Sequence, residues 1–436
     1  MDPLLIGVII IVVLLVPIAL GVPVGIAMFV VSMGGMGLLV GAPFLLTTAQ
    51  TLPYAVASDF AFVVVPMFIL MGTLTAATGV TTELYTAAYR WTSGLRGGLY
   101  FATTLAAGGF GAINGSTVVS SALFTRIALP EMIRFKYSVP VSAGCICAAG
   151  TFAALIPPSL AMVIYALLTG QSVGALLMAG LIPGLLTVGI YFVGLKLFIA
   201  AKPEIAPHEI KKYTFIEKLS SLKGLWAILL LIAVVMGGIY SGVMFPSTAG
   251  AAGAGGALLI GLVRGRLTGK GLWESLKETV VMTSVLFLII IGGLCLSRLL
   301  LVSGSIGAIS AYVNSSDLPV WGFLFAAVLI YVILGMFVDG ISMLVMTVPF
   351  LYPVANELGL DPIWFGVVVV KLIEIGAITP PVGLNLFAVI SASDGAVDAR
   401  KIFRGILPFI LMELVTLGLI IWFPQISLWL PTQMYS

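Results

Sequence analysis

Residues 108–117 read Gly108-Gly109-Phe110-Gly111-Ala112-Ile113-Asn114-Gly115-Ser116-Thr117, and downstream the chain reads Leu155-Ile156-Pro157-Pro158-Ser159. Both stretches place helix breakers and polar side chains inside an otherwise apolar chain. Backbone that leaves the helix at bilayer depth finds no water, and is tolerated only where protein or a water-filled cavity supplies hydrogen-bond partners. Each break is therefore a candidate site. The pattern recurs in the second half as Phe337-Val338-Asp339-Gly340-Ile341-Ser342, followed by Ile378-Thr379-Pro380-Pro381-Val382-Gly383.

The chain around these breaks is that of an integral membrane protein. It is 61% hydrophobic and 8% charged, whereas soluble domains carry roughly a quarter charged residues. No Asp, Glu, Lys, Arg or His lies between Asp2 and Asp59, Lys136 and Lys196, or Lys223 and Arg264. Each run exceeds the ~20 residues one helix needs to span the hydrocarbon core. A net charge of +3, dispersed along the chain, offers no footprint for nucleic acid. Cys145, Cys147 and Cys295 sit in apolar segments as small buried hydrophobes, with neither a disulfide nor a metal site expected. The one histidine, His208, falls in a charged loop, which argues against an intramembrane haem or a Ser/His protease. No Lys or Arg precedes Arg90, so the first apolar segment lacks the basic flank of a secretory signal and is expected to be retained.

Hydropathy and breakers predict about ten spans. The first two are 4–20 and 24–40, and a lateral segment over 42–59 leads to a third at 60–77. Glu83, Arg90, Trp91 and Arg96 mark 80–96 as interfacial. The distance from Arg96 to Arg126 is short for two crossings, so 97–126 is expected to be a re-entrant hairpin with its tip at Asn114-Gly115-Ser116. Residues 137–168, broken at Pro157-Pro158, form a discontinuous helix, and 173–195 is a further span. The hydrophilic linker 196–223, with Lys196, Lys202, Lys211, Lys212, Lys218 and Lys223, is cytoplasmic by the positive-inside rule. Spans at 224–243, 247–263 and 279–300 follow, and the segment 302–317, free of Lys and Arg, is external. A second hairpin over 318–351, a second discontinuous helix over 363–391 and a last span over 406–422 complete the chain.

A shift of 223 positions carries Pro23 to Pro246, Pro130 to Pro353, Pro157 to Pro380 and Pro158 to Pro381. Residues 1–195 and 224–436 are accordingly expected to be two repeats joined by the linker. The first starts outside and the second inside, so the expected fold is an all-α polytopic membrane protein of two inverted-topology repeats, with two re-entrant hairpins and two discontinuous helices. Secondary transporters are commonly built this way, with substrate and ions held where half-helix ends and freed carbonyls converge.

Sodium takes several oxygens, which an unwound turn and helix C-termini supply. One candidate cage comprises Asn114, Gly115, Ser116 and Thr117 with Ile156, Pro157 and Ser159. The second comprises Asp339, Gly340 and Ser342 with Thr379, Pro381 and Gly383. Asp339 is the strongest clue, since an ionisable residue within a span is costly and is usually paired or functional. The plainer alternative is that Gly and Pro kink packed helices while Ser and Thr bond back to them. Helix N-termini at the same breaks would suit a carboxylate, with Ser120, Arg298 and Asn385 as candidate substrate contacts; Arg298 is equally explained by snorkelling. Lys371 and Glu374, at i,i+3, fit an internal salt bridge or a proton or gating relay. Glu413 has no partner on its own helix, and a neighbouring subunit is the expected one. No clustered His, Cys or carboxylate set marks an enzyme.

Ala61-Phe62-Val63-Val64-Val65-Pro66-Met67-Phe68-Ile69-Leu70-Met71-Gly72, Asn114-Gly115-Ser116, Ile156-Pro157-Pro158-Ser159, Ala179-Gly180-Leu181-Ile182-Pro183-Gly184 and Thr379-Pro380-Pro381-Val382-Gly383-Leu384 resemble, nearly end to end, the large membrane subunit of tripartite ATP-independent periplasmic (TRAP) transporters. That family usually shows Ser-Gly-Ser-Ser where this chain has Asn114-Gly115-Ser116-Thr117, a departure that keeps the oxygens. The resemblance implies a sodium-driven, elevator-type importer of organic acids, such as sialic acid or a C4-dicarboxylate, in the bacterial inner membrane. It also implies no cofactor beyond Na+ as coupling ion, and two partners besides membrane lipid: a small four-helix membrane subunit and a periplasmic substrate-binding protein. A stand-alone sodium/dicarboxylate or anion transporter and a passive channel subunit are the alternatives.

Overall fold

The computed structural model describes residues 2–207, 213–315 and 319–435; His208, Lys211, Lys212, Asp317 and Leu318, the expected start of the second hairpin, lie outside the described residues. Every regular element among the described residues is helical. The first part runs α1 (Pro3–Ala19), α2 (Val24–Leu39), α3 (Ala42–Ser58), α4 (Val64–Ala77), α5 (Val80–Thr92), α6 (Gly98–Asn114), α7 (Thr117–Arg134), α8 (Val139–Gly150), α9 (Leu160–Thr169) and α10 (Val173–Ala201). A short helix, α11 (Phe215–Leu222), then leads to α12 (Trp226–Tyr240), α13 (Pro246–Val263), α14 (Gly269–Val302), α15 (Ser305–Ser315), α16 (Val320–Gly335), α17 (Gly340–Glu357), α18 (Pro362–Ile378), α19 (Leu384–Ala392), α20 (Ala399–Trp422) and α21 (Gln425–Tyr435).

Segments 60–77, 173–201, 215–240, 246–263, 269–302 and 399–422 are each long and apolar enough to cross a membrane, and α1, α2, α9 and α16 are shorter apolar helices. This is the polytopic helical architecture that the hydropathy predicts. Exposed Leu, Val, Ile and Phe side chains on these helices are what a lipid-facing surface requires, since hydrocarbon solvates them as well as a core does.

Both expected interruptions are present. α8 tightens into a 3-10 turn over Thr151–Ala154, and α9 restarts only at Leu160; α18 stops at Ile378 and α19 starts at Leu384. The Pro157–Pro158 and Pro380–Pro381 bonds are both cis. Side-chain caps restart the helices. Ser116 Oγ accepts from Val119 N (3.5 Å), Ser159 Oγ from Met162 N (3.2 Å), and Asp339 Oδ1 from Ile341 N (3.1 Å) and Ser342 N (3.0 Å). Such caps are worth about 1 kcal/mol each.

Several boundaries differ from those the charges predict. α7 continues through Arg126 to Arg134, because Arg126 projects from the helix as an exposed side chain and does not end it. α10 likewise carries Lys196 and runs to Ala201, and α11 lies within the linker, where Thr214 and Glu217 form a reciprocal capping box. The segment expected to be external contains α15, and a helix after the last expected span, α21, packs against α10.

Small residues let the long helices close on one another. α14 lies along α2, where a Cβ on Gly292 would come within 2.5 Å of the Gly25 carbonyl. α20 lies along α8, where Gly144 and Gly405 face each other with no room for a side chain. Two further contacts cross the chain: α7 packs on α19, and α17 packs on α9. The second arm of each helix pair thus meets the restarted half of the opposite interrupted helix.

Candidate functional site

The α6–α7 turn is tight because Gly115 takes φ +63°, a left-handed conformation that glycine adopts without steric cost. It also presses on the first break, since a Cβ there would lie 3.2 Å from the Pro158 carbonyl. Asn114 is held under the turn, its Nδ2 donating to Ser116 O (3.0 Å) and Ser120 Oγ (3.3 Å). Thr117 Oγ1 donates to Asn385 Oδ1 of α19 (3.2 Å), so the first turn reaches the second interrupted helix directly. In the second break, Gly383 N donates to Met336 O (3.3 Å) at the end of α16, and the Ala377 and Thr379 carbonyls crowd round Gly383, whose φ is +47°.

Beside the first of these turns lies a cavity of about 270 Å³, open on one side, whose polar wall is Gly115, Ser116 and Thr117 on one flank and Asp339 and Gly340, at the start of α17, on the other. Ile69 of α4, Leu286 of α14 and Ile373 of α18 form the inner apolar wall, and the exposed Val281 and Val285 of α14 stand at its open side. Three helix N-termini open onto it: Thr117 and Val118 of α7, Leu160 and Ala161 of α9, and Gly340 and Ile341 of α17. The positive end of each helix dipole, with the first-turn N–H groups that the Ser116, Ser159 and Asp339 caps leave free, favours an anion there. A smaller void of about 40 Å³ adjoins Asn114 and Ser116 and is bounded on its far side by Thr73 and Glu278.

The predicted residues divide accordingly. Gly115, Ser116, Thr117, Asp339 and Gly340 line the main cavity, and Asn114 the smaller void. Ile156, Pro157, Ser159, Thr379, Pro381 and Gly383 stand behind them in the breaks and do not line it; Ser159 Oγ donates to the Ala154 carbonyl, and Thr379 Oγ1 to Ile375 O (2.6 Å). Ser120 is buried against Asn114. Asn385 Nδ2 and Ser342 Oγ are buried with no partner among the described residues. Arg298 is exposed on α14 and does not line the cavity; its Nη1 lies 3.4 Å from Thr48 Oγ1 of α3.

Glu413 requires a correction. Its partners are inside this chain: it pairs with Lys371, and the Tyr191 hydroxyl of α10 donates to its Oε1 at 2.5 Å. The helix carrying Lys371 and Glu374 packs directly against the helix carrying Glu413, which satisfies the charge without a neighbouring subunit. The i,i+3 pair is present, with Lys371 Nζ 2.7 Å from Glu374 Oε2. Sequence spacing offers no sign of Glu278 and Thr73 beside the smaller void, because each comes from a different helix.

Polar helix ends gathered on one cavity of an all-helical, polytopic chain are the build of a membrane transport protein. The chain belongs to the family of the DctM component of tripartite ATP-independent periplasmic transporters, whose model matches residues 11–426. It is 34% identical over 408 residues to the C4-dicarboxylate TRAP transporter large permease protein DctM of Pseudomonas aeruginosa, covering 91% of this chain and 92% of that one. It is 31% identical over 413 residues to the sialic acid TRAP transporter large permease protein SiaM of Vibrio cholerae, covering 94% and 95%. These relatives are permease subunits and not enzymes. The crystal structure of the YdaH transporter of Alcanivorax borkumensis shares the fold, with a TM-score of 0.54 at 13% identity over 90% of this chain and 89% of that one.

Proposed function

We propose that this chain is the transport subunit of a sodium-coupled system that imports an organic acid across the bacterial inner membrane, working with a small four-helix membrane subunit and a periplasmic substrate-binding protein. The observation that carries the reading is the shared cavity, in which the turn at Gly115–Thr117 faces Asp339 and Gly340 while three helix N-termini point inward. The N-termini suit a carboxylate. Asp339 and the breaks' carbonyls suit a cation beside it, which offsets the charge of the acid in a low-dielectric site. The buried, unpartnered Asn385 Nδ2, next to Thr117, is a donor suited to an acid oxygen. Relatives named for C4-dicarboxylates and sialic acid support the same class of substrate.

In this reading Asn114, Gly115, Ser116 and Thr117 with Ile156, Pro157 and Ser159 form one sodium site, and Asp339, Gly340 and Ser342 with Thr379, Pro381 and Gly383 a second. The reciprocal packing of α7 on α19 and α17 on α9 supports two inverted repeats meeting at the site. Both helix pairs and both interrupted helices would then move together, elevator-fashion, past α2, α4, α13 and α14.

The test is uptake of a radiolabelled C4-dicarboxylate or sialic acid into proteoliposomes holding this chain and the small subunit, with the binding protein outside. Uptake driven by an inward sodium gradient, absent with potassium and absent without the binding protein, is the expected result. Equal uptake by this chain alone would make it a self-sufficient transporter, and flux without any ion gradient would make it a channel.

A further inference from the structure

Three ionisable side chains meet where α18 packs against α10 and α20. Lys371 and Glu374 of α18 and Glu413 of α20 are fully shielded from solvent, and they are the only charged residue types among the buried polar residues described. Lys371 Nζ donates to Glu374 Oε2 at 2.7 Å and to Thr187 Oγ1 of α10 at 3.2 Å, and pairs with Glu413 Oε2. Tyr191 donates to the other Glu413 oxygen. A further titratable group within electrostatic reach of Tyr191 is the buried Cys145 thiol of α8. No second cation faces the group among the described residues.

The charge does not balance with both carboxyls ionised. One ammonium against two carboxylates leaves a net negative charge sealed in apolar surroundings, which is strongly disfavoured. A metal ion would need several oxygens to hold it. Two carboxyl oxygens here lack a hydrogen bond, Glu374 Oε1 and Glu413 Oε2; the second is taken up by its ion pair with Lys371, which leaves Glu374 Oε1 open. One open oxygen suits a proton. Glu413 has a positive or hydroxyl donor at each oxygen and is the better carboxylate, whereas Glu374 has a donor at one oxygen only.

We propose that Lys371, Glu374 and Glu413 form a buried one-proton site, with the proton on Glu374, separate from the sodium sites of the cavity. The site joins α10, α18 and α20 through charge-assisted bonds, which are the stronger kind in a low-dielectric interior. Ile373, adjacent to Glu374 in sequence, lines the cavity, so α18 carries residues of both sites. The inference does not depend on which ion drives transport.

Infrared spectroscopy of the purified full chain at neutral pH, in H2O and D2O, reads the C=O stretch of a protonated carboxyl apart from carboxylate and amide bands. Wild type is expected to show this band with the deuterium shift of a carboxylic acid. Charge counting fixes the variants. Glu374→Gln and Glu413→Gln each leave one ammonium with one carboxylate and abolish the band, while Lys371→Met leaves two carboxyls without a cation and doubles it. Thermal melting of each variant confirms that folded protein is compared, and if Lys371→Met does not yield folded protein the two Gln variants decide. A wild type without the band, or a Glu374→Gln variant that keeps it in full, would overturn the proposal.

Discussion

Thr117 at the start of α7 donates a hydrogen bond to Asn385 at the start of α19, across 3.2 Å and a separation of 268 residues. Each end belongs to a helix break, so the bond joins the two breaks as well as two side chains. It sits beside the cavity that Thr117 lines.

Thr117→Val removes the donor and keeps the shape of the side chain. A neutral hydrogen bond contributes about 1 kcal/mol, so the melting temperature should fall only slightly, while sodium-driven uptake should drop about tenfold, the equivalent of ~1.4 kcal/mol in the barrier. Unchanged uptake in proteoliposomes would show that the bond is only structural.

Asp339 has two duties that substitution separates. Its Oδ1 caps α17, and its charge faces the cavity. Asparagine caps as well as aspartate, whereas alanine loses about 1 kcal/mol. Asp339→Asn is therefore expected to melt like wild type but need several-fold more sodium for half-maximal uptake, and Asp339→Ala should show both defects. Equal sodium requirement in Asp339→Asn and wild type would leave the residue as a cap alone.

Gly144 on α8 and Gly405 on α20 bring two backbones into direct contact, since a Cβ on Gly144 would collide with the Gly405 carbonyl and one on Gly405 with the Pro140 carbonyl. Overpacking of this kind costs about 1–3 kcal/mol or more. Gly144→Ala should lower the melting temperature clearly, whereas Gly189→Ala, at a glycine with open space around it, should not. Similar melting curves for both would refute the close packing.

The breaks were legible in the sequence because prolines, glycines and small polar residues have no ordinary place in an apolar span, and Pro157, Gly115 and Asp339 fall at interrupted or capped helix ends. Helix ends inferred from charge were less legible. Arg126 and Lys196 are carried within α7 and α10, since a long basic side chain can leave a helix for water without ending it. The partner of Glu413 was hidden for another reason: Tyr191 lies 222 residues away, and no local period encodes such a contact. The wall supplied by Ile69, Leu286 and Ile373 was equally unreadable, because these residues look like any lipid-facing or core hydrophobe.

The most direct test of the shared cavity is protection of cysteines placed on its two sides. Val118 of α7 and Ile341 of α17 both line it, and the native Cys145, Cys147 and Cys295 are buried. Val118→Cys and Ile341→Cys, reconstituted singly and treated with a membrane-permeant maleimide, should both label slowly when sodium and the transported acid are present together and quickly when either is omitted. Protection of one position and not the other, or labelling indifferent to both ligands, would contradict a single site formed between the two helix breaks.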